Sequence, residues 1–476
     1  MLISLKINIK TNNNLEKGRT MKYKLSTLAS VLALSFSLNA RADDLLQVYQ
    51  IAKIKDPIIL QELAKYNMSL EKVAESRSPL LPQINFTLKG GATEGHDPGA
   101  GNAHVDKRTG TNGQAKIALT QSLYNGGYWE SLNVSEKEAT EYKANYAYAG
   151  QNLLLRTAKA YFDVLRGDDA VKSAKANKRA VERQLEQTKQ RFDVGLIAIT
   201  DVHEAQAEFD RTTVDEIQAE NELANAYYAL RELTGQDVLN VSYLNTDTFT
   251  PSNLEGDVHL WRNKALEHNL KLHAQRISKE IAKLNISKAE TGHGVTLDFT
   301  LDTQSNTNNF DNDYVNSHDD YSTTNAALIL NVPIYTGGGV TSRVKQAQYG
   351  YVLASEKLVE TFRSTEAQIN SGYNNVRAAV SSVRAFEQTV KSSQSALDAT
   401  EAGFEVGTRT VVDVLDATRN LYTSENKLAN ARYDYIMAVL TIKLAAGTLI
   451  EQDLVDISNN LVKEDPSLKK DDKKKS

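Results

Sequence analysis

A mainly α-helical fold that also carries membrane β-strands, laid out as a tandem structural repeat, is what this chain predicts, and three observations predict it. Two stretches return about 211 residues further on: Gln121-Ser-Leu-Tyr-Asn-Gly-Gly127 as Val332-Pro-Ile-Tyr-Thr-Gly-Gly338, and Val194-Gly-Leu-Ile-Ala-Ile-Thr-Asp-Val202 as Val406-Gly-Thr-Arg-Thr-Val-Val-Asp-Val414. Gly235 and Gly447 close the two copies, so spacing is kept as well as spelling. Long proline-free runs of good helix formers occupy much of each copy, and each also holds two short stretches that alternate apolar and polar residues. With 24% charged residues, 7 prolines and 7% aromatics over 476 positions, rods are favoured over compact layers.

The elements follow in order. Met21-Lys-Tyr-Lys, the largely apolar run Leu28 to Leu38, and Ala40-Arg41-Ala42 before Asp43 have the basic, apolar and small-residue parts of a secretory signal. The run is too short to span a bilayer as a helix. Residues 1–42 are therefore read as an N-terminal extension and signal peptide, 43–250 as the first repeat, 251–460 as the second and 461–476 as a disordered charged tail. Helices are expected over Asp44 to Ser76 and Asp257 to Lys288, the first ended by Pro79 and Pro82. Ile84, Phe86 and Leu88 alternate with polar neighbours, as do Ile117, Leu119 and Leu123, then Val295, Leu297, Phe299 and Leu301, and finally Leu328, Leu330, Val332 and Ile334. A period of two over about ten residues suits a tilted membrane strand with one greasy and one wet face. It suits a half-buried soluble sheet as well. Polar loops, Gly95 to Asn112 and Gln304 to Thr323, join the strands into two hairpins, and Tyr124, Tyr335 and Trp129 fall where an interfacial aromatic belt would lie. Gly127 to Phe192 and Val340 to Phe404 are expected as helices roughly 100 Å long, with partner helices over Asp201 to Leu233 and Asp413 to Ala446. Leu153, Leu154, Ala158, Tyr161, Phe162 and Leu165 return at three- and four-residue steps, as in helices packed side by side.

Composition excludes several functions. Without residues 1–42 the balance is 48 basic against 59 acidic residues, and the one basic cluster lies in the tail, so nucleic acid is not an expected partner. With no cysteine there is no disulfide, thiolate metal site or lipidated N-terminal cysteine. The eight histidines form no H-E-x-x-H, and neither a Gly-rich phosphate loop nor a nucleophile elbow occurs, so neither an enzyme nor a cofactor is expected. A trimeric coiled-coil surface adhesin or a structural envelope protein shares the long helices and export. An adhesin, however, has a single terminal barrel unit rather than two hairpins set in separate repeats.

Four strands cannot close, because their edges would leave unpaired backbone groups in lipid. Natural closed barrels start at about eight strands, so copies of the chain must share one. Two copies or three would serve, and counting does not choose between them.

Over nearly the whole mature chain the sequence resembles the TolC family of outer membrane factors, which serve Gram-negative tripartite efflux and type I secretion. The resemblance is carried by Leu45-Leu-Gln-Val-Tyr-Gln50, Ala74-Glu-Ser-Arg-Ser-Pro-Leu-Leu-Pro-Gln83, Gln190-Arg-Phe-Asp-Val-Gly-Leu-Ile-Ala-Ile-Thr-Asp-Val202, Val344-Lys-Gln-Ala-Gln-Tyr349, Val406 to Thr418 and Leu428-Ala-Asn-Ala-Arg-Tyr433. It implies a homotrimer: a 12-stranded barrel in outer membrane lipid, continued by a 12-helix tunnel across the periplasm. Its implied partners are a periplasmic membrane-fusion adaptor and an inner-membrane RND, MFS or ABC transporter. The implied role is a passive exit duct opened at its periplasmic tip.

The repeated motifs mark that tip. Gly195 and Gly407 suit the left-handed residue past a helix end, and Asp201 and Asp413 fall where a carboxylate can cap the next helix. Asp416 lies three residues after Asp413 on the same helical face, so threefold symmetry would gather six carboxylates round one axis. Capping does not require such mutual repulsion. The resemblance implies that Asp413 and Asp416 form the narrowest, cation-sensitive ring. It also implies a polar latch at Gln190, Thr200, Asp201, Glu401, Phe404 and Arg409. Phe404 stands where the family has tyrosine, which keeps the ring and loses the hydroxyl, and Gly294-Val295 stands where the family often has Leu-Pro before the third strand.

Overall fold

A computed structural model describes residues 44–97, 106–238, 241–311 and 316–463. The expected signal segment, 1–42, and residues 464–476 of the expected tail lie outside them. In chain order the elements are α1 (Leu45–Lys55), α2 (Pro57–Arg77), β1 (Gln83–Asp97), β2 (Asp106–Asn125), α3 (Gly126–Asp193), α4 (Ile199–Thr234) and β3 (Tyr243–Leu244). Then come α5 (Val258–His268), α6 (Leu270–Glu290), β4 (Thr296–Asp311), β5 (Asn316–Asn331), α7 (Gly339–Glu405), α8 (Val411–Ala445), α9 (Glu451–Ser458) and β6 (Leu461–Val462). The tandem repeat is visible in this order.

The two long helices run 68 and 67 residues, about 100 Å each at 1.5 Å per residue. Near the strands, α2 and α6 flank them; beyond, α4 folds back along α3 and α8 along α7. Gly167 lets α3 and α4 approach closely, since a Cβ there would lie 3.0 Å from the Cα of Leu223. The main core sits midway along the rod, where Leu45, Tyr161, Phe162, Leu230, Leu440 and Leu454 bring α1, α3, α4, α8 and α9 together. Tyr161 completes it with its hydroxyl, which donates to the Ser242 carbonyl at 2.9 Å and accepts from the Ser242 N–H at 2.7 Å. Buried polar groups placed so are satisfied rather than costly.

Each short helix expected ahead of a hairpin is in fact two. The first breaks at Asp56, whose carboxylate accepts from the Ile59 N–H at 3.1 Å while Pro57 begins α2. Arg156 grips both oxygens of that buried carboxylate, at 3.1 and 3.0 Å. The second breaks at Asn269, which accepts from the Leu272 N–H and donates to the Ala445 carbonyl, both at 2.8 Å. A side chain that caps a new helix ends the old one, and here the helix ends are pinned to the neighbouring layer.

The sheet order is β1-β2-β4-β5, antiparallel throughout, so the two hairpins lie side by side. Ladder partners share a face, which aligns Ile84, Leu119, Leu301 and Ala326 in one row and Phe86 with Ile117 in the next. A bulge between Ser122 and Tyr124 brings Tyr124, not Leu123, into line with Leu297 and Leu330. Ile84, Phe86, Leu88, Ile117, Leu328 and Leu330 are all exposed. The other face is wet: Lys116 lies 3.6 Å from Asp302, and Gln114 donates to Gln304 at 3.2 Å and to Asn306 at 3.0 Å.

Three strand expectations need correction. Most of the stretches expected as polar loops are strand, because β1 continues to Asp97, β2 begins at Asp106, β4 reaches Asp311 and β5 begins at Asn316. Once both faces meet water the apolar alternation disappears while the backbone ladder continues. Val332 and Ile334 lie beyond β5, which ends before Pro333, a residue with no N–H to donate to a ladder. Val295, expected in the third strand, lies just outside it, because β4 starts at Thr296 with Gly294 extended before it. Finally, Leu461–Val462 pairs with Tyr243–Leu244, which places the first residues of the expected tail in a small sheet beside the central core.

Candidate functional site

The two helical hairpins end in matching turns at the tip far from the sheet. α3 stops at Asp193, and Gly195 at φ 75° turns the chain, its N–H returning to the Phe192 carbonyl and that of Leu196 to Arg191. In the second repeat Gly407 at φ 77° does the same, with its N–H on Phe404 and that of Thr408 on Gly403. Positive φ at both positions is what glycine tolerates and side chains resist.

The two copies then diverge. Asp201 does not cap α4: that helix starts two residues earlier, from Ala198, with no side-chain cap, and Asp201 sits inside the first turn. Its carboxylate meets the free N–H groups there through charge alone. In α8, by contrast, Thr410 is the cap, and it forms a reciprocal box with Asp413. Thr410 Oγ1 accepts from the Asp413 N–H at 3.2 Å, and Asp413 accepts from the Thr410 N–H and hydroxyl, each at 2.9 Å. The Thr410 N–H holds the Asp413 carboxyl below its usual value, the hydroxyl adds to this, and the Arg409 charge contributes least.

One helical turn on, Asp416 is exposed and its Oδ1 lies 2.9 Å from Arg419 Nη1. Arg419 reaches across to α4, where its Nε and Nη2 meet the two oxygens of Glu208 at 3.2 and 2.8 Å. Glu208 is only 8% exposed and also accepts from Arg211. Asp413, Asp416 and Arg409 line one open cleft between α7 and α8, with Ser393, Ala396 and Thr400 on its other wall and a volume of about 480 Å³.

The expected latch residues separate into two groups. Arg409 belongs to the acidic cleft, and its stem lies so close to Gly403 that a Cβ there would come within 2.8 Å of Arg409 Cγ. Phe404 is buried at 7% in a cluster with Val181, Leu185, Leu397 and Val411. Its repeat counterpart Phe192 is 38% exposed. The Arg191 guanidinium stacks over the Phe404 ring at 4.3 Å and donates to the Phe404 carbonyl at 3.3 Å, joining the two hairpin ends. Gln190 bonds Glu186 on its own helix at 3.3 Å, while Thr200 and Glu401 are exposed at the tip. Among the described residues of one chain, no hydrogen bond or ion pair joins Gln190, Thr200 or Asp201 to Glu401 or Arg409. At the sheet end, Tyr124 and Trp129 are exposed where β2 passes into α3, and Tyr335 is exposed between β5 and α7.

Sequence reasoning missed Arg191, Glu208 and Arg419. Arg419 stands three residues after Asp416, a spacing visible in the sequence. Its other partner lies 211 residues away, and no local signal marks that. Among the described residues no group of histidines and carboxylates could hold a metal ion, and no helix is long and apolar enough to cross a membrane.

A sheet with one exposed apolar face and two unpaired edges, continuous with helical hairpins of about 100 Å that end in charged turns, defines a channel-forming protein of an outer membrane. The chain belongs to the outer membrane efflux protein family, whose profile matches residues 48–236 and again 261–448, once in each repeat. It is 44% identical to the outer membrane protein TolC of Vibrio cholerae over 93% of this chain and 99% of that one. The same comparison with TolC of Escherichia coli gives 40% over 93% and 90%. At greater distance, the proteases secretion protein PrtF of Dickeya chrysanthemi is 26% identical over 92% of this chain and 95% of its own. Among solved structures, the Campylobacter jejuni CmeC outer membrane channel superposes with a TM-score of 0.74 at 15% identity, covering 98% of this chain and 95% of that one. CusC gives 0.73 at 15% identity, over 85% and 92%. The protein is an outer-membrane channel, not an enzyme, and its helices extend from the barrel into the periplasm.

Proposed function

We propose that three copies of the chain pool their hairpins into a 12-stranded barrel and their helices into a 12-helix tunnel, forming the exit duct of tripartite efflux pumps and of type I protein secretion. The observation that carries this reading is the four-stranded antiparallel sheet, apolar on one face and open along β1 and β5. Such edges in lipid need partners, and three copies supply them with the antiparallel direction preserved at every seam. Both cargo classes are supported by the relatives: the family is named for efflux, and PrtF for secretion of proteases. A periplasmic adaptor would dock on the helical hairpins, with an inner-membrane transporter supplying energy.

In this assembly Asp413 and Asp416 surround the axis as a cation-binding constriction, while Arg409, with Gln190, Thr200, Asp201, Glu401 and Phe404, holds neighbouring tips together. An arginine-to-carboxylate contact at a wet surface is charge-assisted yet weak enough to break on demand. Opening is then a rigid movement of the inner helix pairs. Two variants test the tip in planar bilayers. Arg409→Ser raises single-channel conductance, and unchanged conductance removes Arg409 from the latch. Asp413→Ala with Asp416→Ala abolishes block by multivalent cations, and persistence of block moves the constriction elsewhere.

A further inference from the structure

The acidic ring, if built only of Asp413 and Asp416, would carry its full charge, yet the structure attaches a cation to half of it. Arg419 Nη1 lies 2.9 Å from Asp416 Oδ1, and the same guanidinium is anchored through Nε and Nη2 to both oxygens of Glu208. Asp416 is exposed; Glu208, on α4 of the other hairpin, is buried at 8%. One end of the bridge therefore faces the cleft and the other is fixed in the helical wall. A forked guanidinium can hold two carboxylates at once, which a lysine ammonium does not match geometrically.

We propose that Arg419 sets the cation affinity of the constriction and links it to the separation of α4 from α8. Resting on the reading of Asp413 and Asp416 as the constriction, the proposal assigns Arg419 as a tethered counter-charge and Glu208 as the anchor that shares it, holding Nε and Nη2 so that only Nη1 serves Asp416. A multivalent cation entering the ring competes with Arg419 for Asp416. Moving α4 away from α8 releases the guanidinium from Glu208 and leaves it to Asp416 alone, so an opening movement lowers the negative charge of the ring that cations meet. The device couples shape to selectivity through one side chain. The repeat gives no counterpart: the positions equivalent to Arg419 and Glu208 are Ala207 and Asn420, so the bridge exists once per chain.

The test is block of the trimeric channel in planar bilayers by lanthanum ion, for four variants beside the parent. Arg419→Gln frees Asp416 and lowers the half-blocking concentration by about threefold or more, a size set by exposed ion pairs. Glu208→Gln releases Arg419 onto Asp416 and raises the half-blocking concentration. Arg419→Lys, which keeps the charge and loses the fork, falls between the parent and Arg419→Gln. The double variant Asp413→Ala with Asp416→Ala separates the two readings. If it loses block while Arg419→Gln and Glu208→Gln both block like the parent, Arg419 has no role in the ring, the proposal is overturned and the constriction stands. If the double variant still blocks, the constriction reading fails and takes the proposal with it. Equal shifts in the same direction for Arg419→Gln and Glu208→Gln also overturn it, since a general loosening of α4 against α8 would act so. Channel insertion by Arg419→Lys shows that the site tolerates substitution without loss of assembly.

Discussion

Phe404 is a ring without a hydroxyl, held at the tip by burial and by a cation. Without a hydroxyl the ring cannot hydrogen-bond, and it is instead buried and covered by the Arg191 guanidinium, which also takes the Phe404 carbonyl. This tie joins the two hairpins within one chain. At Asp413 the arithmetic of protonation gives a sharper prediction. Its carboxyl is held below the ordinary 3.8 by Thr410, so the hydrogen bonds it makes at the start of α8 are fully present above that value and are lost only as pH falls through the lowered one. In an Asp416→Asn background, cation block that depends on Asp413 persists to lower pH than an unshifted aspartate would allow. Thr410→Val removes the hydroxyl donor and shifts the loss of block to higher pH. Identical pH profiles with and without the Thr410 hydroxyl would contradict this account of the cap.

At the scale of elements, the paired glycines that close the repeats look alike in sequence and differ in surroundings. Gly235 and Gly447 are both left-handed, at φ 65° and 72°. A Cβ on Gly447 would lie 2.1 Å from the His268 carbonyl oxygen, at the break between α5 and α6, whereas one on Gly235 meets nothing nearer than Lys55 Cβ at 3.9 Å. Gly235→Ala therefore costs about 1 kcal/mol, the strain of a left-handed side chain. Gly447→Ala costs about 3 kcal/mol or more, because a backbone carbonyl must also move. Thermal melts followed by circular dichroism check the contrast, and equal losses for the two variants would refute it. The same breaks show where sequence stops being legible. Strand and helix periods could be read because they are local patterns, and Pro57 announces α2 in retrospect. Asn269 resembles any polar residue in a helix until Ala445 is seen beside it. The polar continuations of β1, β2, β4 and β5 could not be read because alternation needs a lipid or core face to select it. Glu208 and Arg419 were hidden for another reason: a pair 211 residues apart leaves no mark in either segment.

The whole molecule is a rod whose two ends do different work. At one end an apolar sheet face meets lipid; at the other, paired turns present charge to water. Between them the core around Tyr161, Phe162 and Leu440 fastens both repeats, so that a movement at the tip need not disturb the sheet. The repeat itself is the economical part of the plan, since one unit used twice supplies two hairpins per chain. Three chains then close the barrel that one cannot. Because the chain contains no cysteine, this closure can be probed with introduced ones. Cysteines placed on β1 and β5 at facing positions of the outer edges, oxidised in the outer membrane and resolved on a non-reducing denaturing gel, report which copies are neighbours. The account predicts a ladder that ends at three chains, with both edges consumed. A ladder ending at two, or cross-links that never leave the single chain, would contradict it.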